Sequence, residues 1–199
     1  KHFVKGHVED MKRLAREGTE RDEEMRLDNA PKLIRKLIEG ARESRAEWLV
    51  EDYLNESKTG FRATDELVPI TARRDEFQAI TDRLIKDNDI TVPARAKGMR
   101  VKDVALRRGQ GTASLGLNRY YVLIEGPQAD GSDDLILEYK QARHSALSGL
   151  VPPSSYEKNT RGARISHAQA VHLVRGDRFY GHIDFEGLSY MTRERAPYR

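Results

Sequence analysis

The sequence predicts an α+β fold in which an antiparallel sheet, with a helix on it, follows a helical segment. Residues 101–142 contain three short apolar, β-rich runs separated by turn residues, a pattern typical of an antiparallel meander. Upstream, apolar residues recur mostly at helical spacing. The composition changes near Val92, so we expect a helical accessory segment over residues 1–92 and a sheet-forming subdomain over residues 93–199.

The composition of the chain limits the classes of function that it can have. The 199 residues include no cysteine, which excludes disulfides, thiolate catalysis and thiolate metal sites. No apolar run is long enough to span a membrane, and no signal peptide is visible, so we expect a cytoplasmic protein without a membrane partner. The chain begins at Lys1 without a methionine, and we therefore expect it to be a piece of a longer protein.

The first half of the chain is predicted to be mainly helical. Apolar residues at helical spacing predict helices over residues 1–18, 31–54 and 75–88. Trp48 and Tyr53 lie on the longest of these helices, and we expect both to pack in the core, because aromatic residues at helical spacing usually do. Residues 61–70 predict a short strand or one arm of a hairpin.

The second half is predicted to alternate strands with turns and a single helix. Strands are expected over the apolar run of Val101, Val104 and Leu106, at residues 120–124 and at residues 135–139, with a polar turn over residues 126–134. A helical pattern then covers residues 161–175. Two more strands, at residues 179–185 and 188–193, are predicted to pair around the Glu186-Gly187 turn.

A glycine-rich loop joins the first two strands of the meander, and a lysine ends the third. The loop reads GQGTASLG over residues 109–116, and the lysine is Lys140. Loop glycines allow backbone N–H groups to approach anionic oxygens because no Cβ is in the way, and the lysine adds a point charge. The order of strand, glycine loop, strand, lysine strand, helix, strand and strand is that of the N-terminal lobe of a protein kinase.

Several stretches of this chain resemble an uncharacterised bacterial family known as domain of unknown function 2252 (DUF2252). The resemblance is carried by RVKDVALRRGQGTASLGLNRYYVLIEG, DLILEYKQARHSAL, GARISHAQAVHL and SYMTRERAPYR, and it extends to PKLIRKLIEGARES and FRATDELVPIT. It implies a kinase-like fold, related to aminoglycoside and other small-molecule phosphotransferases. It also implies ATP as the cofactor and an acceptor substrate that the sequence does not identify.

The resemblance assigns roles to individual residues. Gly111, Ser114 and Gly116 match the loop of the family, whereas Ala113 stands where the family has its middle glycine. Lys140 matches the strand lysine expected to contact the α- and β-phosphates, and it is the one catalytic residue that the resemblance implies. The implied nucleotide-binding residues are Gly109, Gly111, Thr112, Ala113, Ser114, Gly116, Lys140 and, on the strand expected beside the adenine, Glu194. Arg107 and Arg108 are expected to add attraction for the phosphates.

The chain departs from the family at two places. His167 stands where the family has a helix glutamate that would hold the lysine, and Glu138 and Glu157 are the alternatives that we consider. Family members also carry upstream motifs, G-D-x-H-x-x-N-like and N-D-F-D-E-like, that are absent from these residues. We therefore expect Mg²⁺ to be held by residues outside this chain, and the chain alone to be inactive.

Other interpretations of the same residues remain open. The glycine loop is also compatible with a plain hairpin, and the basic segment of residues 92–119 with a module that binds RNA or an acidic protein without catalysis. Nucleic acid is the less favoured partner because aromatic residues do not alternate with the basic ones. A pseudokinase, which binds nucleotide without transferring phosphate, is the third interpretation.

Three further patterns resemble functional motifs, and we interpret all of them as ordinary structure. His182 and Asp184 would share one face of a strand, but no third metal ligand is in view. His167 and His172 are five residues apart on a helix, which does not align them as ligands. The aspartates of residues 130–134 lack the glutamate that completes a calcium loop, so we expect a hairpin turn.

Overall fold

The structure is a computed structural model that describes residues 2–17, 25–43, 45–111, 114–153, 155, 160–172 and 176–196. The chain divides into two compact units, Lys1–Glu43 and Ser44–Arg199. The division falls well before the boundary expected near Val92. The physical reason is that residues between these two points pack on the sheet and contribute to its cores.

The first unit contains two helices, α1 (His2–Glu17) and α2 (Lys32–Glu43). A helix over residues 1–18 was expected, and α1 confirms it. The helix expected over residues 31–54 corresponds to α2 and to α3 (Arg45–Asp52), and Ser44 between them lies outside the described residues; α3 belongs to the second unit. Leu33 and Leu37 of α2 are 71% and 53% exposed.

The second unit is built on a six-stranded antiparallel sheet, which confirms the α+β class. Its strands are β1 (Leu67–Pro69), β2 (Val101–Arg107), β3 (Arg119–Ile124), β4 (Leu135–Gln141), β5 (Gly181–Phe185) and β6 (Leu188–Arg195). Their order across the sheet is β1-β2-β3-β4-β6-β5. The meander β2-β3-β4 predicted from the three apolar runs is therefore present, and β6 pairs beside β4.

One face of the sheet, here the α4 face, is covered by helix α4 (Arg74–Asp87). Phe77 and Leu84 of this helix are fully buried. The ring of Phe77 lies 5.0 Å from that of Tyr120 and 6.0 Å from that of Tyr139, measured between centroids. The hydroxyl groups of Thr81 and Tyr139 are hydrogen-bonded at 2.8 Å in this core. These contacts explain why the pattern of residues 75–88 predicted an amphipathic helix.

The opposite face, here the α3 face, packs against α3 and the segment that follows it. Its sheet residues are Leu67, Ala105, Tyr121, Leu123 and Ile136, and its covering residues are Trp48, Leu49, Tyr53, Leu54 and Phe61. Successive side chains of a strand point to opposite faces, so each strand contributes to both cores. The expectation that Trp48 and Tyr53 are core residues is confirmed, since both are buried.

The last helix, α5 (Arg161–His172), packs against β5 and β6. Its Gly162 N–H donates to the Ser189 hydroxyl at 2.8 Å, and a methyl group at Gly162 would overlap the Tyr190 carbonyl. The predicted helix was three residues longer, and those residues lie outside the described part of the chain. The β5–β6 hairpin turns at Glu186-Gly187, both with positive φ, as the sequence predicted.

Two short 3-10 helices, Thr71–Arg73 and Ala94–Met99, connect these elements. Between β3 and β4, Asp134 accepts hydrogen bonds from the Gly126 N–H at 2.9 Å and from the Lys102 ammonium at 2.5 Å. The aspartate-rich segment is therefore a turn, as expected. Across the described residues, no helix is both long and apolar enough to cross a bilayer.

Candidate functional site

The glycine-rich loop connects β2 to β3 and folds back onto the end of the α3 face. Gly109, Gly111 and Gly116 all have positive φ, a backbone conformation that glycine adopts without strain. At Gly111 the space is also limited, because an added Cβ would lie 3.0 Å from the Ser114 hydroxyl oxygen. The glycines therefore set the path of the loop and leave room for polar contacts inside it.

Arg119, the first residue of β3, holds the loop against the sheet. Its guanidinium donates to the Ser114 hydroxyl at 2.9 Å and to the Gln110 side-chain oxygen at 3.0 Å. The Ser114 hydroxyl donates in turn to the Gln110 carbonyl at 2.9 Å. The Tyr121 hydroxyl donates to the same Gln110 side-chain oxygen at 3.3 Å. The loop is thus anchored to the sheet by a buried arginine.

Three cationic residues lie side by side across this end of the α3 face. Arg119 is directly opposite Lys140 in the β3–β4 pairing, and Arg107 occupies the matching end of β2. Residues opposite each other in an antiparallel pair have Cβ atoms about 5 Å apart, and like charges there destabilise the pair. In the arrangement of Arg107, Arg119 and Lys140, here the cationic row, Glu66 and Glu138 already neutralise the two arginines, and no described carboxylate pairs with the lysine.

Lys140 is the least neutralised member of the cationic row. Burial and the neighbouring Arg119 charge both lower the pKa of its ammonium group, while the Glu138 carboxylate opposes them. No described residue forms an ion pair with its ammonium group, whereas Arg107 pairs with Glu66 at 2.6 Å. An anion bound next to Lys140 would supply the charge that the protein does not place there.

Glu138 is the buried carboxylate of the site. It is fully buried on β4, two residues before Lys140 and on the same face. Arg193 Nε donates to its Oε2 at 2.6 Å, and Arg119 Nη1 lies 3.0 Å from its Oε1 without forming an aligned hydrogen bond. Glu138 thus shares its charge between two arginines. Helix α5 contains neither Asp nor Glu, so it offers no carboxylate to the lysine.

A cavity of about 220 Å³ lies within the loop. Its described lining residues are Leu106, Arg107, Arg108, Gly109, Gln110, Ser114, Leu115, Gly116, Leu117, Asn118 and Arg119. Two members of the cationic row thus line the cavity, and Lys140 adjoins it as the cross-strand neighbour of Arg119. Of the predicted nucleotide-binding residues, Gly109, Ser114 and Gly116 line the cavity, and the Gly111 carbonyl accepts a hydrogen bond from the Ser114 N–H. Lys140 is not among the described lining residues, and Thr112 and Ala113 lie outside the described part of the chain.

Glu194 is not part of this group. It pairs across the sheet with Leu137, on the α4 face and about 10 Å along β4 from Lys140. Its carboxylate is held by Arg45 at 2.7 Å and by both terminal nitrogens of Arg95. Burial acts to raise the pKa of Glu194, but the two guanidinium groups outweigh it and hold the pKa below its usual value.

Glu194 lines a second cavity, of about 620 Å³, at the far end of the sheet. Asp177 lies in the same cavity, and its carboxylate accepts hydrogen bonds from the N–H groups of Phe179 and Glu194. Burial raises the pKa of Asp177, and those hydrogen bonds oppose the shift. The structure therefore separates the predicted adenine-side residue from the loop and surrounds it with ion pairs.

Most of the basic segment at residues 92–119 is neutralised by carboxylates from other parts of the chain. The pairs are Arg95–Glu194, Arg100–Glu125, Lys102–Asp134, Arg107–Glu66 and Arg119–Glu138. These carboxylates come from β6, from the turn between β3 and β4, from β4 and from the segment before β1. The basic run in the sequence is consequently a set of ion pairs in the structure, rather than an open positive surface.

Gln110 and Arg193 are site residues that the sequence analysis did not assign. Arg193 reaches Glu138 from a strand 55 residues away, so only the pairing of β4 with β6 reveals it. Gln110 lies between two loop glycines and gives no signal beyond its position. In the histidine and aspartate pair of β5, His182 Nδ1 lies 3.4 Å from the Ser166 hydroxyl and Asp184 is exposed. Within the described ranges, no group of three or more His, Asp and Glu side chains is placed to hold a metal ion.

Together, these features define an α+β protein in which a glycine-rich loop closes over a cationic row at one end of an antiparallel sheet. The chain belongs to the family described as an uncharacterized protein conserved in bacteria (DUF2252), whose family model matches residues 1–199. A search of curated proteins found no match, and neither did a search of solved structures.

Proposed function

We propose that this chain is the ATP-binding portion of a kinase-like phosphotransferase whose acceptor substrate is unknown. The observation that carries the proposal is the direct pairing of Lys140 with Arg119 beneath the glycine-rich loop. Loop N–H groups and a strand lysine are how kinases hold the phosphates of ATP. The order of elements from β2 to β6, with α5 after the lysine strand, supports the same proposal.

In this proposal, the phosphates lie under the loop with Lys140 as their main charge partner. Arg119 and Arg107 add positive charge from the neighbouring strands. The described residues offer no cluster of metal ligands, so the proposal places the Mg²⁺ ligands and the catalytic base outside this chain. The chain then positions a nucleotide, and positioning alone does not transfer a phosphoryl group.

The test is the binding of ATP with magnesium to the 199-residue chain, measured by calorimetry and by thermal shift. A charged hydrogen bond contributes about 1.5–3 kcal/mol, so Lys140→Ala is expected to weaken binding about 10- to 100-fold. Lys86→Ala is the matched control, because Lys86 is an exposed residue in the last turn of α4. Absence of ATP binding by the wild-type chain, or an equal loss in both variants, would refute the proposal.

Nucleotide binding without transfer, as in a pseudokinase, is the second candidate. It is favoured by the absence of acidic residues from α5, since a lysine held by a helix glutamate belongs to active kinases. The measurement that separates the two candidates is phosphate release from ATP by a longer protein that contains the family's upstream motifs. Turnover would favour the transferase, whereas tight binding without turnover would favour the pseudokinase.

A further inference from the structure

A third cavity lies next to the cavity within the loop, here the loop cavity. The third cavity has a volume of about 250 Å³, and we call it the Asp52 cavity; its described lining residues are Asp52, Tyr53, Thr64, Glu66, Leu67 and Arg107. Arg107 lines both cavities. The Arg108 N–H donates to the Glu66 carbonyl at 2.7 Å, and a Cβ added at Gly109 would lie 3.7 Å from the Glu66 carboxylate. A ligand that fills the loop cavity can therefore extend into the Asp52 cavity.

The two cavities differ in the sign of their charge. The described lining of the loop cavity includes three arginines and no carboxylate, whereas that of the Asp52 cavity includes two carboxylates and one guanidinium group. Glu66 and Glu138 neutralise two of the arginines, and no described carboxylate pairs with the third, Arg108. Phosphate is thus favoured in the loop cavity and disfavoured in the Asp52 cavity. The Asp52 cavity instead favours a group that donates hydrogen bonds.

The polar lining of the Asp52 cavity suits the hydroxyl groups of a sugar. Asp52 and Thr64 are both exposed, so their side chains are accessible to a ligand. The Thr64 hydroxyl oxygen accepts a hydrogen bond from the Leu67 N–H at 2.9 Å and still has its proton to donate. A carboxylate is the group that holds a ribose hydroxyl in dinucleotide-binding folds. The Asp52 cavity combines such a carboxylate with a hydroxyl group that can donate.

The ribose of a nucleotide fits this cavity better than the base does. Tyr53 is the one aromatic residue among the described lining residues, and it is 8% exposed. Its ring centroid lies 4.8 Å from that of Trp48 and 5.8 Å from that of Tyr121, so most of the ring is already in contact with the core. Bases usually bind by stacking on an open aromatic face. The ribose is also bonded directly to the phosphates and is the first group to reach a neighbouring cavity.

We propose that the Asp52 cavity binds the ribose of the nucleotide, with the Asp52 carboxylate accepting hydrogen bonds from the ribose hydroxyl groups. This inference rests on the proposed function and adds a ligand subsite to it. The subsite lies on the side of the loop that faces α3 and β1. Glu194, the residue expected beside the adenine, is on the other face of the sheet and takes no part in it.

The experiment compares four ligands in calorimetric titrations of the full chain with magnesium at one ionic strength, with sulfate as the ionic control. The ligands are ATP, dideoxy-ATP without the ribose hydroxyl groups, ITP without the amino group of the base, and inorganic tripolyphosphate. A hydrogen bond to a charged group contributes about 1.5–3 kcal/mol, so dideoxy-ATP is expected to bind at least about 10-fold more weakly than ATP. ITP retains the ribose and should agree with ATP within about twofold.

Asp52→Ala should reduce the affinity for ATP to that for dideoxy-ATP, and it should not weaken binding of dideoxy-ATP or tripolyphosphate. Asp52 ends α3, where the helix dipole disfavours a carboxylate, so we expect this variant to fold. Asp52→Asn, which keeps the size of the side chain, serves if the alanine variant does not fold, and it should show a smaller loss confined to ATP and ITP. Glu51→Ala is the matched control, because Glu51 is an exposed carboxylate of the same helix and is not among the described lining residues.

Each outcome supports or refutes one of the two proposals. A preference for ATP over dideoxy-ATP that disappears in Asp52→Ala and persists in Glu51→Ala supports the inference. Equal binding of ATP and dideoxy-ATP refutes it and leaves the proposed function standing; a loss confined to ITP would then assign the cavity to the base. An equal loss for tripolyphosphate in Asp52→Ala also refutes it, because tripolyphosphate has no ribose. If no ligand binds better than sulfate, the proposed function itself is refuted, and the inference falls with it.

Discussion

Replacing Glu138 with glutamine should lower stability and raise affinity for anions at the same time. Glu138 is fully buried between Arg119 and Arg193. Removing one partner of a buried ion pair costs about 3–5 kcal/mol, and we expect about 2–3 kcal/mol here because glutamine still accepts a hydrogen bond from Arg193. For a chain of this size, that corresponds to a fall in melting temperature of roughly 5–10 °C.

The gain in affinity follows from the position of Glu138 on β4. Residues two apart on a strand are about 7 Å apart, so its carboxylate faces an anion bound at Lys140 across about that distance. Two unit charges at about 7 Å interact by about 2.4 kcal/mol at an effective dielectric constant of about 20. Solvent at the half-buried Lys140 reduces this value to about 1 kcal/mol, or roughly fivefold tighter binding of tripolyphosphate.

The assay pairs urea unfolding with tripolyphosphate titration at two salt concentrations. Glu66→Gln is the matched control, because its carboxylate pairs with Arg107 and is 60% exposed. This control should change stability by less than about 1 kcal/mol, the usual limit for an exposed pair. A loss of anion affinity in Glu138→Gln would refute the reasoning. It would mean that Glu138 holds Arg119 in its binding position and does not simply oppose the anion.

Three more predictions concern the pH dependence of the site, the far ion pairs and the core. Because the pKa of Lys140 is lowered, tripolyphosphate binding should weaken at a lower pH than an ordinary lysine, with a pKa of about 10.4, would require, and Lys140→Arg should remove this part of the pH dependence. Glu194→Gln should destabilise the chain by about 2 kcal/mol at neutral pH, less than a fully buried pair costs, because Arg95 and Arg45 are partly exposed. Folding lowers the pKa of Glu194, so the stability that its charge contributes is present above about pH 4 and is lost as the pH falls through the folded-state pKa. Urea unfolding of the wild type and of Glu194→Gln at several pH values measures this contribution. Phe77→Ala should lower the free energy of unfolding by about 3–5 kcal/mol without changing the relative affinities for ATP and tripolyphosphate.

The controls for these three predictions use the same measurements. Wild-type binding that stays constant up to about pH 10 would contradict a lowered lysine pKa. A destabilisation in Glu194→Gln that persists unchanged in acid would show that charge is not its cause. Phe77→Leu, which keeps an apolar group in the α4 core, should cost less than Phe77→Ala, and an equal loss in the two variants would contradict a packing effect.

The local pattern of the sequence was sufficient to predict most of the helices and strands, and also the glycine-rich loop and Lys140. Strand alternation and helical spacing are properties of neighbouring residues, so β2, β3, β4 and α4 were predicted close to their observed bounds. The Glu186-Gly187 turn was predictable for the same reason, because the conformation of a two-residue turn depends on the two residues themselves. Lys140 was identified by its place at the end of an apolar run.

Only the tertiary structure decided which charges meet. Arg119 opposes Lys140 because of the register between β3 and β4, and Glu138 lies between Arg119 and Arg193 because β6, which places Arg193 55 residues after Glu138, pairs with β4. The register of a hairpin depends on its hydrophobic pattern and its turn, but no neighbouring residues indicate that β6 pairs beside β4. The same holds for the aromatic segment that covers the α3 face: Trp48 was recognisably a core residue, but its position beside the candidate site follows from long-range packing alone.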